Sequence, residues 1–282
     1  MYNINRVIKK LTPHRSAAEL FKYFSDEKDC VFLDSSLVNG LGRYSIIGVR
    51  PYLKLVKDDH GFFINEQKVS ELSFEEYLKK YLSEHKDQNK SGLPMLSAAI
   101  GYFSYEYGRK LMEIPSHKEN LVTIPDAVLV FYDMYIIEDC HEKKTFLVAN
   151  GVTEDAEKLI ESVEKRLTEV LLEKEQVADG SFNIEITPNF KKEEYKQAVD
   201  EMIRYIIEGD IYITNMTQQL EVKSNKKPLD VFYDLRENNP SPFGGYMDYG
   251  DFQIVCASPE RFLKMKKGHV NTRPIKGTRK RG

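Results

Sequence analysis

Apolar and polar positions follow two different spacings along the chain. Short runs of β-branched and aromatic residues between turn residues predict strands, and apolar residues three or four apart predict amphipathic helices. Such helical spacing follows Ser73, which makes Ser73 the predicted N-cap of a helix over residues 73–85. In the first half of the chain, strands are predicted over residues 30–34, 43–48, 52–57, 61–64, 95–105, 127–138 and 145–149.

The second half of the chain adds helices and hairpins. Thr153 is the predicted N-cap of an amphipathic helix, and a second helix is predicted over residues 191–208 with Gly209 as its C-cap. A third helix is expected to begin near Pro228, because proline suits the first helical turn. Strands are predicted over residues 211–222 and in two hairpins, 244–249 with 252–257 and 261–266 with 269–274.

These elements predict an α+β fold with large antiparallel β-sheets packed with helices. With 41% hydrophobic and 30% charged residues, the 282-residue chain can bury a sizeable core. A length near 280 residues suggests about two domains. The predicted divisions are a strand-rich N-terminal region over residues 1–150, a helix and polar linker over 151–187, and a further region over 188–282.

Cysteine, histidine and glycine patterns exclude several classes of protein. The three cysteines are far apart and form no CxxC pair, so neither a disulfide framework nor a cysteine-rich zinc site is predicted. The six histidines show no metal-binding spacing, and neither GxxxxGK[ST], GxGxxG nor GxSxG occurs. Since no 18-residue apolar run or signal-like start is present, we expect a cytoplasmic protein without a membrane partner.

The net charge of −3 conceals a strongly basic end. Nine of the 41 lysines and arginines follow Glu260, and none of the 44 acidic residues does. Such a run can mark a tail that binds nucleic acid or a membrane. Here apolar residues such as Phe262 and Ile275 are interleaved with the cations. This pattern indicates strands and not a disordered basic tail, so we expect no nucleic-acid partner.

Glu260 and Lys276 are the candidate chemical groups of this basic end. Glu260 follows an apolar strand, and a hairpin separates it from Lys276, so both side chains are expected near the same end of a sheet. A desolvated carboxyl group can act as an acid, and neighbouring cations such as Arg273 lower a lysine pKa and suit an anionic substrate. Gly277 and Thr278 would add close backbone approach and a hydroxyl. An ordinary cross-strand ion pair remains the structural alternative.

Several segments together resemble the chorismate-utilising enzymes, which include anthranilate, aminodeoxychorismate, isochorismate and salicylate synthases. Residues 32–35 (FLDS) resemble the family's LLES box, residues 42–48 (GRYSIIG) its GRYSIIG box, and residues 100–105 (IGYFSY) its GYFSYD-type strand. The remaining segments, all in the order expected for the family, are residues 209–212 (GDIY), 239–243 (NPSPF), 257–262 (ASPERF) and 273–278 (RPIKGT).

The resemblance assigns roles to the basic end. Anthranilate synthases resemble PIAGT at residues 274–278 and aminodeoxychorismate synthases PIKGT, as here. It therefore implies an aminating transferase that makes 4-amino-4-deoxychorismate for p-aminobenzoate and folate. Lys276 would attack C2 of chorismate and expel the C4 hydroxyl, with Glu260 as general acid, before ammonia displaces the enzyme amine. Gly277 and Thr278 would contact chorismate.

The resemblance also implies a tryptophan pocket. In regulated anthranilate synthases this pocket is allosteric, whereas in some aminodeoxychorismate synthases it holds a structural tryptophan. Gly244 stands where regulated enzymes commonly have methionine, which argues against inhibition here. The alternative for Ser35 and Ser45 is ordinary hydrogen bonding at strand ends. The implied pocket residues are Ser35, Gly42, Arg43, Tyr44, Ser45, Pro242, Phe243 and Gly244.

Family members are longer than this chain, so we expect a C-terminal truncation. The missing part would hold the glutamate ligands of Mg²⁺, with no metal ligand in this chain, and we expect the chain alone to be inactive or nearly so. A glutamine amidotransferase subunit would supply ammonia. The alternatives are an anthranilate synthase component I that serves tryptophan synthesis, and a non-catalytic fragment that binds tryptophan or the amidotransferase.

Overall fold

The computed structural model describes residues 5–116, 122–168 and 184–275, together with Gly277 and Lys280. The described helices are α1 (Ala17–Phe21), α2 (Phe74–Glu84), α3 (Tyr105–Leu111), α4 (Ala156–Thr168), α5 (Lys192–Glu208) and α6 (Pro228–Asn238). The described strands are β1 (Val7–Leu11), β2 (Val31–Asp34), β3 (Tyr44–Asp58), β4 (Gly61–Ile64), β5 (Gln67–Val69), β6 (Ala99–Phe103), β7 (Ala127–Asp139), β8 (Lys144–Ala149), β9 (Glu185–Pro188), β10 (Leu220–Lys223), β11 (Phe243–Asp248), β12 (Gln253–Ser258), β13 (Arg261–Lys266) and β14 (His269–Arg273).

A ten-stranded antiparallel sheet forms the centre of the fold. Its strands follow the order β1–β8–β7–β3–β2–β11–β12, with β6 paired to β7 and β4 linking β3 to β5. Two-stranded sheets join β9 with β10 and β13 with β14. The predicted α+β class with a large antiparallel sheet is therefore confirmed.

Strand β7 is buried along its whole length, which explains its nearly unbroken apolar sequence. Alternate residues face opposite sides of the sheet. Ile136 belongs to a core covered by α1, α4 and α6, whereas its neighbour Tyr135 belongs to a second core on the other face. In the first core Phe21 stacks on Phe32, with ring centroids 5.1 Å apart.

Helix boundaries follow local capping groups. Ser73 is the N-cap of α2 and Gly209 is the C-cap of α5, both as predicted. The structure adds that Glu76 completes a capping box with Ser73 and that Gly209 lies in the left-handed region with φ of 87°. The helix α4 is present as predicted, but its predicted N-cap, Thr153, is wrong. Asp155 caps the helix, because its Oδ1 accepts hydrogen bonds from the backbone N–H groups of Glu157 and Lys158. Thr153 instead donates to Asp133.

Several strand predictions need correction. The predicted strands over 43–48 and 52–57 are one strand, β3, because both halves pair with β7 across an irregularity between Pro51 and Leu53. The strand predicted over 211–222 is confined to β10, the part that pairs with β9. The sequence analysis also missed β1, β5, β9, α1 and α3, which are short elements of three to seven residues.

Contacts divide the chain into two compact units, residues 1–172 with 228–282, and residues 173–227. The units differ from the predicted divisions at 1–150, 151–187 and 188–282. The physical reason is that β11 pairs with β2, which places later strands in the sheet of the N-terminal region. Among the helices in the described part of the chain, none combines the length and apolar character needed to cross a bilayer.

Candidate functional site

The end of β2 meets the start of β3 and the segment before β11. Gly244 pairs with Asp34, and Leu33 pairs with Ile46, so the three strands lie side by side. The Ser35 hydroxyl lies within hydrogen-bond distance of two carbonyl oxygens, Tyr44 O at 2.8 Å and Pro242 O at 3.2 Å. The structure therefore brings together the predicted tryptophan-pocket residues, 35, 42–45 and 242–244. We call these residues, together with Asp34 and Ser241, the strand junction.

A buried carboxylate lies at the centre of the strand junction. Asp34 is 3% exposed; it accepts hydrogen bonds from Ser45 Oγ at 3.2 Å and from Arg236 Nε, on α6, at 2.8 Å. Burial raises the pKa of Asp34 above its ordinary value, although the Arg236 guanidinium opposes that rise. Ser45 Oγ also accepts from the backbone N–H of Ser35 at 3.0 Å. The strand end is thus fixed by side chains of three elements.

The sequence analysis missed the Asp34–Arg236 pair. An acidic residue at the end of an apolar strand is a usable signal for a paired buried carboxylate. Its partner was out of reach because 202 residues separate Asp34 from Arg236.

Close backbone approach explains Gly42. A Cβ atom there would lie 2.4 Å from the carbonyl oxygen of Leu37 and 3.0 Å from the Cα of Pro242. The segments are also joined by backbone groups: Leu37 N donates to Ser241 O at 2.9 Å, and Ser241 N donates to Ser36 Oγ at 2.9 Å. Any larger residue at position 42 would separate these segments.

One polar atom of the strand junction has no hydrogen-bond partner among the described residues. Ser241 is 4% exposed, and its Oγ is a buried hydroxyl without a protein partner. A Cβ atom added to Gly244 would lie 3.1 Å from this oxygen, 3.3 Å from the carbonyl oxygen of Cys256 and 3.4 Å from that of Asp34, so the groups around position 244 are closely packed. Buried hydroxyls without a protein partner are exceptions in folded proteins, so Ser241 Oγ is a candidate contact for a polar atom of a ligand or for an ordered water.

Arg43 points to a neighbouring turn. Its guanidinium forms an ion pair with Asp139 at 2.7 Å and lies 5.0 Å from the centroid of the Tyr44 ring. Although burial opposes it, the Arg43 guanidinium, together with backbone N–H groups, holds the pKa of Asp139 below its ordinary value. Arg43 thus orders the start of β3 through contacts within the chain.

The predicted catalytic region includes the β13–β14 hairpin. Glu260 lies between β12 and β13, is partly exposed, and its backbone N–H donates to Ser258 Oγ at 3.3 Å. Arg261 pairs with Arg273 where the hairpin opens, so Glu260 adjoins that open end. Arg273 is exposed, and no atom would lie within 4 Å of a Cβ on Gly277. Lys276 and Thr278 lie outside the described residues.

A side chain at the start of the hairpin contacts the strand junction. The Arg261 guanidinium lies over the Phe243 ring, 5.5 Å from its centroid. Many apolar side chains of the hairpin are exposed, including Phe262 at 83%. No group of three histidine, cysteine, aspartate or glutamate side chains in the described part of the chain can hold a metal ion.

The chain belongs to the family of chorismate binding enzymes, whose profile matches residues 29–282. Anthranilate synthase component 1 of Acetivibrio thermocellus is 31% identical over 283 residues, covering 93% of this chain and 57% of the relative. Aminodeoxychorismate synthase component 1 of Bacillus subtilis is also 31% identical, over 255 residues, covering 86% of this chain and 53% of the relative.

A solved structure has the same fold. The crystal structure of anthranilate synthase component I from Streptococcus pneumoniae TIGR4 superposes with a TM-score of 0.69 and 25% identity, covering 83% of this chain and 54% of that one. The chain thus spans a little more than half the length of the curated relatives it matches.

Proposed function

We propose that the chain is the N-terminal part of an aminodeoxychorismate synthase component I. The complete protein would aminate chorismate at C4 with ammonia from a glutamine amidotransferase subunit. Lys276, within Pro274-Ile275-Lys276-Gly277-Thr278, is the observation that carries the proposal, because anthranilate synthases resemble PIAGT there. Family membership and the relative from Bacillus subtilis support the same reading.

The chemistry requires two proton-transfer and two bond-exchange events. The neutral Lys276 amine would bond to C2 of chorismate while both ring double bonds shift by one position and the C4–O bond breaks. Glu260 would give its proton to the departing hydroxyl, which leaves as water. Ammonia would then bond to C4 while both double bonds shift back and the C2–N bond to Lys276 breaks, and the Glu260 carboxylate would take a proton from the new C4 ammonium. Mg²⁺ would be bound by residues beyond this chain and would neutralise the substrate carboxylates.

Anthranilate synthase component I is the second candidate. The relative from Acetivibrio thermocellus, which covers 93% of this chain, and the solved Streptococcus pneumoniae structure both carry that name. Names of relatives at 31% identity, however, are divided between the two activities. The residue at position 276 therefore distinguishes the two activities better than overall sequence identity does.

Product analysis tests the proposal. The complete polypeptide that contains these residues is incubated with chorismate, Mg²⁺ and ammonium, and the products are separated by chromatography. We expect 4-amino-4-deoxychorismate, which aminodeoxychorismate lyase converts to p-aminobenzoate. Anthranilate as the main product would overturn the aminodeoxychorismate assignment in favour of the second candidate. This chain without its continuation is the control, and we expect little or no turnover from it.

We also propose that the strand junction binds tryptophan. The buried Ser241 hydroxyl, which has no hydrogen-bond partner among the described residues, supports a polar contact with a ligand there. Calorimetry on this chain should show saturable binding of L-tryptophan and much weaker binding of L-phenylalanine. The Ser241 side chain forms no hydrogen bond within the described part of the chain, so Ser241→Ala should fold normally and bind tryptophan more weakly. Absence of binding heat from a folded sample would contradict the proposed pocket and the tryptophan-binding fragment alternative.

A further inference from the structure

A cavity of about 450 Å³ lies apart from the strand junction, and the two share no residue. Its lining comes mainly from β3, β4, β7 and the turn between β11 and β12, all within the unit of residues 1–172 and 228–282. A volume of this size is typical of a small-molecule site. The side chains of its wall decide which kind of molecule it suits.

Part of the cavity wall is aromatic. Phe63, on β4, and Phe252, in the β11–β12 turn, both line the cavity and are half-buried, so each ring keeps a surface that a ligand can reach. Phe252 packs against Tyr249 with ring centroids 5.4 Å apart, whereas Phe63 has no ring partner among the described residues. Val56 and Pro125 add apolar surface. Such a wall favours a ligand with a flat ring.

Two carboxylates of the lining are open to a cation. Asp251, in the β11–β12 turn, is exposed and has no hydrogen bond or ion pair among the described residues. Asp58, at the end of β3, uses only Oδ1, which accepts from the backbone N–H groups of His60 at 2.7 Å and Gly61 at 3.0 Å. A bound cation therefore breaks no existing contact of either side chain.

Both lysines of the lining already have carboxylate partners. Lys28 pairs with Glu66 at 2.6 Å, and Lys54 pairs with Asp29. The hydrogen bond and charge of Glu66 raise the pKa of Lys28, and Asp251 adds a smaller contribution, so Lys28 lies near Asp251 as well. The lining still carries three carboxylates against two ammonium groups, and Asp29 compensates Lys54 from outside the lining. This balance favours a cationic ligand over an anionic one.

We propose that this cavity binds a small arylalkylamine, with the ammonium group on the Asp251 carboxylate and the ring against Phe63 and Phe252. Asp58 adds negative potential at the same cavity. An aromatic carboxylate meets the wall but is repelled by the acidic residues, and an ammonium ion without a ring uses only the charges. The site does not depend on the proposed enzymatic activity.

Calorimetric titration of this chain at low salt with 2-phenylethylamine, 2-phenylethanol and ethylamine tests the proposal. We expect saturable binding of 2-phenylethylamine and about tenfold weaker binding of 2-phenylethanol, which lacks the charged hydrogen bond. Ethylamine should also bind at least about tenfold more weakly, since it buries no ring. Equal affinity of 2-phenylethylamine and either other compound, or no binding of 2-phenylethylamine, would overturn the proposal.

Two charge variants with opposite expected effects locate the ammonium group. Asp251→Asn should weaken 2-phenylethylamine binding by about threefold, the scale of an exposed ion pair. Lys28→Gln removes the cation near Asp251 and should strengthen binding by roughly two- to threefold, which a mere disturbance of the turn would not do. Asp230→Asn is the matched control, because Asp230 is an exposed aspartate of α6 outside the cavity lining. Unchanged affinity in Asp251→Asn, an equal loss in Asp230→Asn, or weaker binding by Lys28→Gln would contradict the assignment.

Phe63→Leu tests the ring contact separately from the charge. Leucine keeps an apolar side chain on β4 but removes the aromatic face, so 2-phenylethylamine should bind about threefold more weakly. The affinity for ethylamine should stay the same, because ethylamine makes no ring contact. Equal losses for the two amines would show that the wall does not recognise the ring and would overturn the proposed orientation.

Discussion

Replacing Gly101 by alanine is expected to lower the free energy of unfolding by about 3 kcal/mol or more, beyond the usual cost of overpacking a core. The new Cβ would lie 1.8 Å from the carbonyl oxygen of Val128 and 3.0 Å from the Cα of Leu129. Both atoms belong to the backbone of β7, so no side-chain rotation relieves the overlap. Strand β6 must therefore shift away from β7. Urea unfolding followed by circular dichroism measures the change.

Gly108→Ala is the matched control for Gly101→Ala. Gly108 lies in helix α3, and nothing would lie within 4 Å of a Cβ atom there. Alanine in a helix restricts the unfolded chain without straining the folded one, so a gain of about 0.4–1 kcal/mol is expected. Equal stabilities of the two variants would show that the tight β6–β7 approach is not a constraint in solution.

Replacing Lys276 by alanine in the complete polypeptide is expected to reduce formation of 4-amino-4-deoxychorismate by about a thousandfold or more, equivalent to roughly 4 kcal/mol of barrier. The proposed nucleophile is lost, and the sequence at 274–278 becomes PIAGT, which resembles the anthranilate synthases. We therefore expect residual turnover to shift towards anthranilate. Product ratios from chorismate, Mg²⁺ and ammonium provide the measurement.

Lys264→Ala serves as the control for charge alone. Lys264 is an exposed cation of β13 and pairs in register with Asn271. Its removal should leave the turnover rate and the product ratio unchanged. If Lys276→Ala behaved like Lys264→Ala, the covalent route would be excluded, and Lys276 would be no more than part of a basic surface.

Local sequence signals were sufficient where neighbouring residues determine the structure. Ser73 and Gly209 are such cases, since a cap acts within one turn of its own helix. Thr153 was wrongly predicted as the N-cap of α4 because threonine is a common capping residue. Its backbone N–H and hydroxyl instead donate hydrogen bonds to Asp133 on β7. Asp155, which is closer to α4, takes that role. The prediction failed where two suitable residues competed.

The candidate site was predictable only through family resemblance. Ser35, Ser45 and Pro242 carry no signal by themselves, and their meeting depends on the pairing of β2 with β11 and β3. Sequence spacing does not reveal the pairing of β2 with β11, because strands that pair in a sheet can be far apart along the chain. For the same reason the buried Asp34–Arg236 pair and the orphan Ser241 hydroxyl came only from the structure.

The pairing of β2 with β11 also affects how the chain folds during synthesis. The hydrogen bond from Ser35 to Pro242 spans 207 residues, so most of the chain must leave the ribosome before that edge of β2 is paired. Until then the edge exposes unpaired backbone groups that can join another strand. Closing so long a loop is also slow compared with forming a local hairpin. The nascent chain therefore passes through a long interval in which this edge of β2 is open to pairing with other strands.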